Sequence, residues 1–548
     1  MSTMTTKSWL ASYGDIPATI DADAIPSLTA MFESALREHA SLPAFTCLDQ
    51  TVTYAQVDKQ SRAFAAYLQS ALGVRKGDRI GVMAPNLIAF PIALIAIARI
   101  GAVQVNINPM YTARELEHQL NDAGVETLLV YSGVSATVAE VMPRTPLKTV
   151  ITTGLGDGTG AELPSPPTDP RLTQAITFDA AIEHGRNLPL LPVEVHGDDL
   201  IFLQYTGGTT GVSKGAALSH RNLVANVTQF KAVIADNLDV GKEVVVTAIP
   251  LYHIFALMVN FISFFSVGAR NWLVPNPRNM DTFIDVLKAS RCTVFTGVNT
   301  LYAGLVAHPR IAEVDFSTLR LAAGGGAAIV PATSEKWKAL TGVFIREGYG
   351  LSETSPIVSF NPPSADRFNG TTGLPLPSTD VKLIDSDGRE VALGHAGEVC
   401  VKGPQVMRGY WQKPEANADA FTADGYFRTG DIGELTEGGY LKIVDRKKDM
   451  VIVSGFNVYP NEIEAVVSEH PGVVECACVG VSDNRSGEAL MVYVVKDGSA
   501  ALDEAALIAH CRAQLTAYKV PKSIVFVDAL PKSTVGKILR RELRQAQQ

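Results

Sequence analysis

From residue 79 onward, apolar runs of strand length alternate with patterns of helical period. "RIGVMAP" reads as a strand ending at Pro85, followed by an apolar helix around residues 88–100 and the strand "VQVNI". "ARELEHQLNDAG" carries its apolar residues on one helical face and stops at glycine, and "TLLVYSG" follows as a further strand. Such alternation predicts α/β layers built on parallel strands. Residues 154–170, "GLGDGTGAELPSPPTDP", are dense in glycine and proline and read as a surface loop.

Between Gly373 and Gly439 the texture changes. Short β runs ("DVKLID", "GEVCVKG", "YFRTGD") separated by turn residues predict a compact β subdomain. Next comes a charged cluster, "DRKKD", between two strands and ahead of a helix. The remainder, roughly 100 residues, is large enough to fold separately. The expected architecture is therefore α/β. Residues 1–445 form a large N-terminal domain of layered α/β subdomains plus a β subdomain. Residues 446–548 form a small α+β C-terminal domain, with the boundary near Asp445–Lys448.

Length agrees, since 548 residues exceed one ordinary core. A net charge of −9 argues against nucleic acid as a partner, because that footprint needs clustered positive charge. The six cysteines, at 47, 292, 400, 476, 478 and 511, form no CxxC pair and read as buried free thiols suited to a reducing compartment. The N-terminus lacks the continuous apolar core of a signal peptide, so a cytoplasmic location is expected. "IAFPIALIAIARIGAV" is interrupted by Pro91 and Arg99, and "IFALMVNFISFFSVGA" contains Asn260. Both fall short of the roughly 20 mainly apolar residues of a spanning helix and read as buried helices. Peripheral contact with a membrane and a homodimer both stay open at this stage.

Candidate chemistry begins at "YTGGTTGVSKG", residues 205–215, delivered by the apolar run "DDLIFLQY". A Walker loop requires glycine where Ser213 stands and Ser or Thr where Gly215 stands. The following "GAALSH" is β-like, with a helix expected only after Ser219, so the loop joins two strands and has no helix N-terminus to lean on. Its residue types still suit a polyphosphate. Gly207, Gly208 and Gly211 let the backbone approach closely; Thr206, Thr209, Thr210 and Ser213 supply hydroxyls; Lys214 adds a point charge.

The loop resembles the signature of the acyl-adenylate-forming superfamily. Further stations of that family follow in order: "PLYHIF" (250–255), "GYGLSETSP" (348–356), "YFRTGD" (426–431), "DRKKDMVIVSGFNVYPNEIE" (445–464) and "LPKSTVGKILRREL" (530–543). The resemblance implies a two-step reaction with ATP, Mg2+ and coenzyme A. A carboxylate attacks the α-phosphate to give acyl-AMP and pyrophosphate, and a thiol then displaces AMP. It implies that Glu353 and Thr206 hold the metal. Tyr349 would stack on adenine within Glu347, Gly348 and Gly350, near Ser352, with Gly325, Gly326 and Ala327 as the opposite wall. Asp431 would accept from the ribose hydroxyls, supported by Arg446, with Ile443 and Lys448 alongside. Lys537, opening a basic helix, would touch the carboxylate and α-phosphate, and His253 would sit beside the acyl group. The small domain would rotate about Lys448 between steps, bringing Ser454, Gly455 and Phe456 to line a pantetheine channel.

Within the superfamily the wording is most similar to bacterial long-chain fatty acyl-CoA synthetases, notably in "NPMYTARELEHQLNDAG", "GPQVMRGYW" and "VSGFNVYPNEIE". Fatty acid is the substrate this implies. The apolar helix after His253 reads equally as the wall of an acyl tunnel or as core. Medium-chain or aryl acids remain alternatives. So does transfer to a carrier protein, although no carrier domain follows Gln548 and no insertion is evident near 445. A non-enzymatic lipid-binding module would not require Glu353, Asp431, Arg446 and Lys537 together.

Overall fold

The computed structural model describes residues 7–206, 213–365, 367–454, 456–483, 486–498, 502–534 and 536–545. Among these described residues the strands form four sheets. In the first, Arg79–Met83 is central, with Val103–Asn106 and Thr127–Tyr131 parallel on either side. Leu200–Thr206 extends the sheet in parallel, and Lys214–Ser219 returns antiparallel at its edge. Strand, loop and strand thus follow in the order expected from the sequence. The second sheet carries the parallel strands Val244–Thr247, Val294–Gly297, Leu321–Gly324 and Ile345–Gly350.

Helices fill the space between these two sheets. All eleven residues of Ala89–Arg99 are buried, as befits a helix that is apolar all round. Its single charge, Arg99, is met by Glu33 at 2.7 Å and Asp58 at 2.5 Å. Helix Ala113–Ala123 starts with a Thr112–Glu115 capping box and ends at Gly124, whose φ of 65° is the left-handed stop the sequence predicts. Ser219 caps His220–Val233 in the same way with Asn222. Among the described residues no helix is long and apolar enough to cross a membrane.

The segment after His253 is helical, with π-type turns over Ala256–Ser263. Asn260 ties it to three strands. It donates to Thr247 (3.0 Å), accepts from Thr296 (2.9 Å), and offers its carbonyl to Asn271 (2.9 Å). Phe261 and Phe265 pack on Phe32 and Phe45, and Phe265 also stacks on Tyr54. Of the two readings the sequence left open, core is the one these two aromatics take.

An antiparallel sheet of Asp380–Ile384, Gly397–Lys402, Phe427–Leu435 and Leu441–Arg446 forms the expected β subdomain. Beyond it, Val451–Val453, Phe456–Val458, Val473–Asp483, Gly487–Lys496 and Ser523–Phe526 make a separate sheet. That sheet has its own core, including Cys476, Cys478, Ile463 and Val492. All six cysteines are free and buried, as expected. The segment Gly409–Trp411 lies along the open side of Lys214–Ser219, through Ala217 N–H to the Gly409 carbonyl (3.0 Å) and Trp411 N–H to the Gly215 carbonyl (2.8 Å).

Candidate active site

Thr206 and Lys214 face each other at the mouth of the strand–loop–strand hairpin. Gly207, Gly208, Thr209, Thr210 and Gly211 lie outside the described residues. Ser213 is fixed from behind, its carbonyl 3.0 Å from His118 Nε2. Gly215 has a local reason to be glycine, because a Cβ there would stand 3.0 Å from the Tyr205 ring. The Lys214 ammonium lies 5.1 Å from the centroid of the Tyr410 ring. The Tyr410 hydroxyl donates to Glu353 Oε1 at 2.8 Å, so Lys214 and the expected metal ligand meet across one aromatic ring.

Glu353 sits in a short 3-10 turn after strand Ile345–Gly350, beside Ser352. Burial raises its carboxyl above the ordinary range, against the Tyr410 hydrogen bond and the Arg446 charge. Among the described residues no group of three or more His, Cys, Asp or Glu side chains is placed to hold a metal ion. One desolvated carboxylate nevertheless fits magnesium, which takes one or two carboxylates, keeps waters, and binds the phosphates it arrives with. A cation there would offset the burial of Glu353.

Tyr349 donates to Asp431 Oδ2 at 2.6 Å, and Arg446 Nε approaches Asp431 Oδ1 at 3.2 Å. Asp431 and Arg446 are cross-strand partners, which sets this geometry in the backbone. Tyr349 and Ile443 both rest on the cluster of Val381, Val399 and Leu441, holding the ring in place. The two stretches expected to wall adenine leave neighbouring parallel strands at their C-terminal ends, Gly324 beside Glu347. Ligands of parallel sheets gather at such ends. Glu347 is committed to this support: its carboxylate accepts the Ile329 N–H at 2.8 Å, and burial pushes it up to about 7. Gly348 and Gly350 complete that strand, while Gly325 is buried and Gly326 and Ala327 face outward.

Lys537 enters from the C-terminal unit. A Cβ on Gly326, whose φ is +79°, would lie 3.1 Å from Lys537 Cε. Thr300 donates to the Gly536 carbonyl (3.1 Å) and Asn108 to the Thr534 hydroxyl (3.3 Å), seating the turn against the large unit. Lys537 does not open a helix, which corrects the sequence reading. Its carbonyl accepts from Ser533 N–H at 2.7 Å, closing a turn through Gly536 (φ 78°), and the helix begins at Arg540. Burial and the Arg446 charge push Lys537 down to about 8, against the pull of Asp431 and Glu353. His253 lies within the field of Lys537, and burial pushes it down to about 3. Its Nδ1 accepts the Phe255 N–H at 3.3 Å, so the neutral ring carries its proton on Nε2.

Lys448 stands in the exposed turn after Leu441–Arg446. Ser454 donates its N–H to the Ser486 carbonyl, and Phe456 stacks on Tyr518 at 4.7 Å. In this arrangement both belong to the small unit's own packing and are not gathered around Lys537; Gly455 is outside the described residues. Sequence reasoning missed Tyr410, Thr300, Asn461 and Arg540. Three of these lie in quoted stretches, "GPQVMRGYW", "NVYPNEIE" and "KILRREL", but nothing local marks them as partners.

The family model described as AMP-binding enzyme matches residues 32–411, and that of the AMP-binding enzyme C-terminal domain matches residues 462–537. The long-chain-fatty-acid–CoA ligase of Salmonella typhimurium is 50% identical, over 98% of each chain. The crystal structure of ATP-bound MatB from Rhodopseudomonas palustris superposes with a TM-score of 0.84 at 31% identity, covering 95% of this chain and 99% of that one. The anthranilate CoA ligase AuaEII, solved with anthranoyl-AMP, gives a TM-score of 0.87 at 26% identity, covering 96% and 99%. With its hairpin loop, Asp431–Arg446 pair and inserted Lys537, the chain belongs to the AMP-binding enzyme family.

Proposed function

We propose that this protein is an ATP-dependent long-chain fatty acyl-CoA synthetase. The observation that carries the reading is the delivery of Lys537 from the small unit to Gly326, in the electrostatic field of Arg446, Asp431 and Glu353. Half identity over nearly the whole chain to a long-chain-fatty-acid–CoA ligase supports the substrate class.

A fatty acid carboxylate oxygen attacks the α-phosphorus of ATP, and the bond to the bridging oxygen of the leaving pyrophosphate breaks. The chain brings two anions together, so its work is charge and orientation. Lys214 and the loop Thr206–Ser213 grip the β- and γ-phosphates. Glu353 and Thr206 would hold magnesium, which when bound would neutralise phosphate charge. Tyr349 and the backbone of Gly325–Ala327 and Glu347–Gly350 enclose adenine, with Ser352 at the same end. Asp431, Arg446, Ile443 and Lys448 surround the ribose. Lys537 contacts the carboxylate and the α-phosphate, and neutral His253 donates from Nε2 to the acyl oxygen. In the second step the thiol of coenzyme A loses its proton, its sulfur bonds to the acyl carbon, and AMP leaves.

Residues 1–445 and 446–548 act as two units joined at Lys448. Rotation there withdraws Lys537 and presents Ser454, Gly455 and Phe456 to the thiol. The test is AMP release with coenzyme A across acids from C4 to C18. Activity rising toward the long acids supports the reading. A maximum at medium-chain acids, or activity restricted to aryl acids, overturns its substrate class, and pyrophosphate release without coenzyme A turnover overturns its acceptor.

A further inference from the structure

A half-buried polar cluster at Arg540, three residues after Lys537, joins three parts of the chain. Asn461, second residue of helix Pro460–Ser468, makes three hydrogen bonds. Its backbone N–H donates to Asp445 Oδ2 (2.9 Å), its Nδ2 donates to the Val444 carbonyl (3.0 Å), and its Oδ1 accepts from Arg540 (2.5 Å). Arg540 is clamped in turn by Glu464 at 2.8 Å, with Asp449 and Asp445 at 3.7 and 3.8 Å. Arg540 follows Lys537 by three residues. Val444 and Asp445 lie on strand Leu441–Arg446, paired with the strand of Asp431.

The bonds divide into two sets. Asn461–Arg540 and Arg540–Glu464 are internal to the small unit and travel with it. Asn461–Val444 and Asn461–Asp445 cross the turn at Lys447–Met450 and reach a strand of the large unit. A rotation at Lys448 that carries helix Pro460–Ser468 off that strand must break the second set and leave the first intact.

We propose that Asn461, braced by Arg540, is a positioning residue: a clasp that holds Lys537 at the nucleotide site for acyl-AMP formation and releases before thioester formation. It adds to the reaction reading, on which it rests, a named residue whose bonds to Val444 and Asp445 exist in one orientation of the small unit only. Its loss should therefore split the half-reactions. A residue needed merely for folding would weaken both.

Single-turnover acyl-AMP formation from palmitate and ATP without coenzyme A, and thioester formation from supplied palmitoyl-AMP with coenzyme A, are measured for wild type, Asn461→Ala and Asn461→Asp. The aspartate retains an acceptor for Arg540 but loses the donor to Val444. Arg540 itself is left intact, since its removal would take a cation from the carboxylates of Glu464, Asp445 and Asp449 together. Both variants are expected to lose about 5- to 30-fold in the first rate at saturating ATP, the scale of one or two hydrogen bonds. The second rate should be unchanged or faster. Equal losses in both steps, no loss in either, or a change confined to the KM for ATP would each overturn the clasp. Wild type that makes no palmitoyl-AMP would instead overturn the proposed function, so the two failures are distinct.

Discussion

At the scale of single residues, charge placement decides the outcome. Lys537 is an ammonium below its pKa of about 8 and neutral above it. Acyl-AMP formation without coenzyme A is therefore expected to fall as pH rises through about 8, while thioester formation from supplied acyl-AMP lacks that limb. Lys537→Arg should abolish the limb whatever its absolute rate, because a guanidinium stays protonated. A wild-type profile flat to about pH 10 contradicts the assignment. Lys537→Ala should cost about 10²–10³-fold in acyl-AMP formation, the scale of one lost oxyanion donor, and spare the second step. Glu347 behaves differently, since its buried carboxylate holds Ile329 and need not be charged to do so. Glu347→Gln should keep the melting temperature, whereas Glu347→Ala should lose about 1–3 kcal/mol by leaving the Ile329 N–H unpaired.

At the scale of elements, what the sequence announced were the pieces with local rules. Helix Ala113–Ala123 has its capping box and left-handed glycine in the sequence, and the hairpin around the glycine-rich loop follows from two β-like runs. Asp431 and Arg446 were legible as motif residues, and their pairing follows from strand register. Contacts between distant residues were not legible. Tyr410 reaches Glu353 across 57 positions, and Arg540 reaches Asn461 across 79, with no periodicity to announce either. The helix expected at Lys537 was displaced because Gly536 and Ser533 close a turn first, which composition does not encode. The helix after His253 was ambiguous since aromatic residues suit a tunnel and a core equally. Asn260 now specifies its setting, being bonded to three strands. Asn260→Leu should destabilise the large unit by about 2–4 kcal/mol in urea unfolding, because Thr247 and Thr296 would lose their side-chain partner together. A change under about 0.5 kcal/mol would show those bonds to be dispensable.

At the scale of the whole molecule, the two units meet at Asn108–Thr534 and Thr300–Gly536, contacts tied to the inserted position of Lys537. A protein carrying Asn108→Cys and Thr534→Cys, joined by a short cleavable cross-linker, should form acyl-AMP once and then stall with coenzyme A. Cleaving the linker should restore turnover; steady turnover while linked would argue against rotation at Lys448. The six native cysteines are buried, so background labelling should be low. The segment Gly409–Trp411, which brings Tyr410 to Glu353, also covers the outer edge of strand Lys214–Ser219. An uncovered edge beside a glycine-rich loop would offer unpaired amides and carbonyls to other chains. At the opposite border of the same sheet stands a strand of two residues, Ile176–Thr177, too short to template another. The piece that brings Tyr410 to Glu353 thus also guards the protein against edge-to-edge aggregation. Mutations that loosen it are expected to appear first as insolubility.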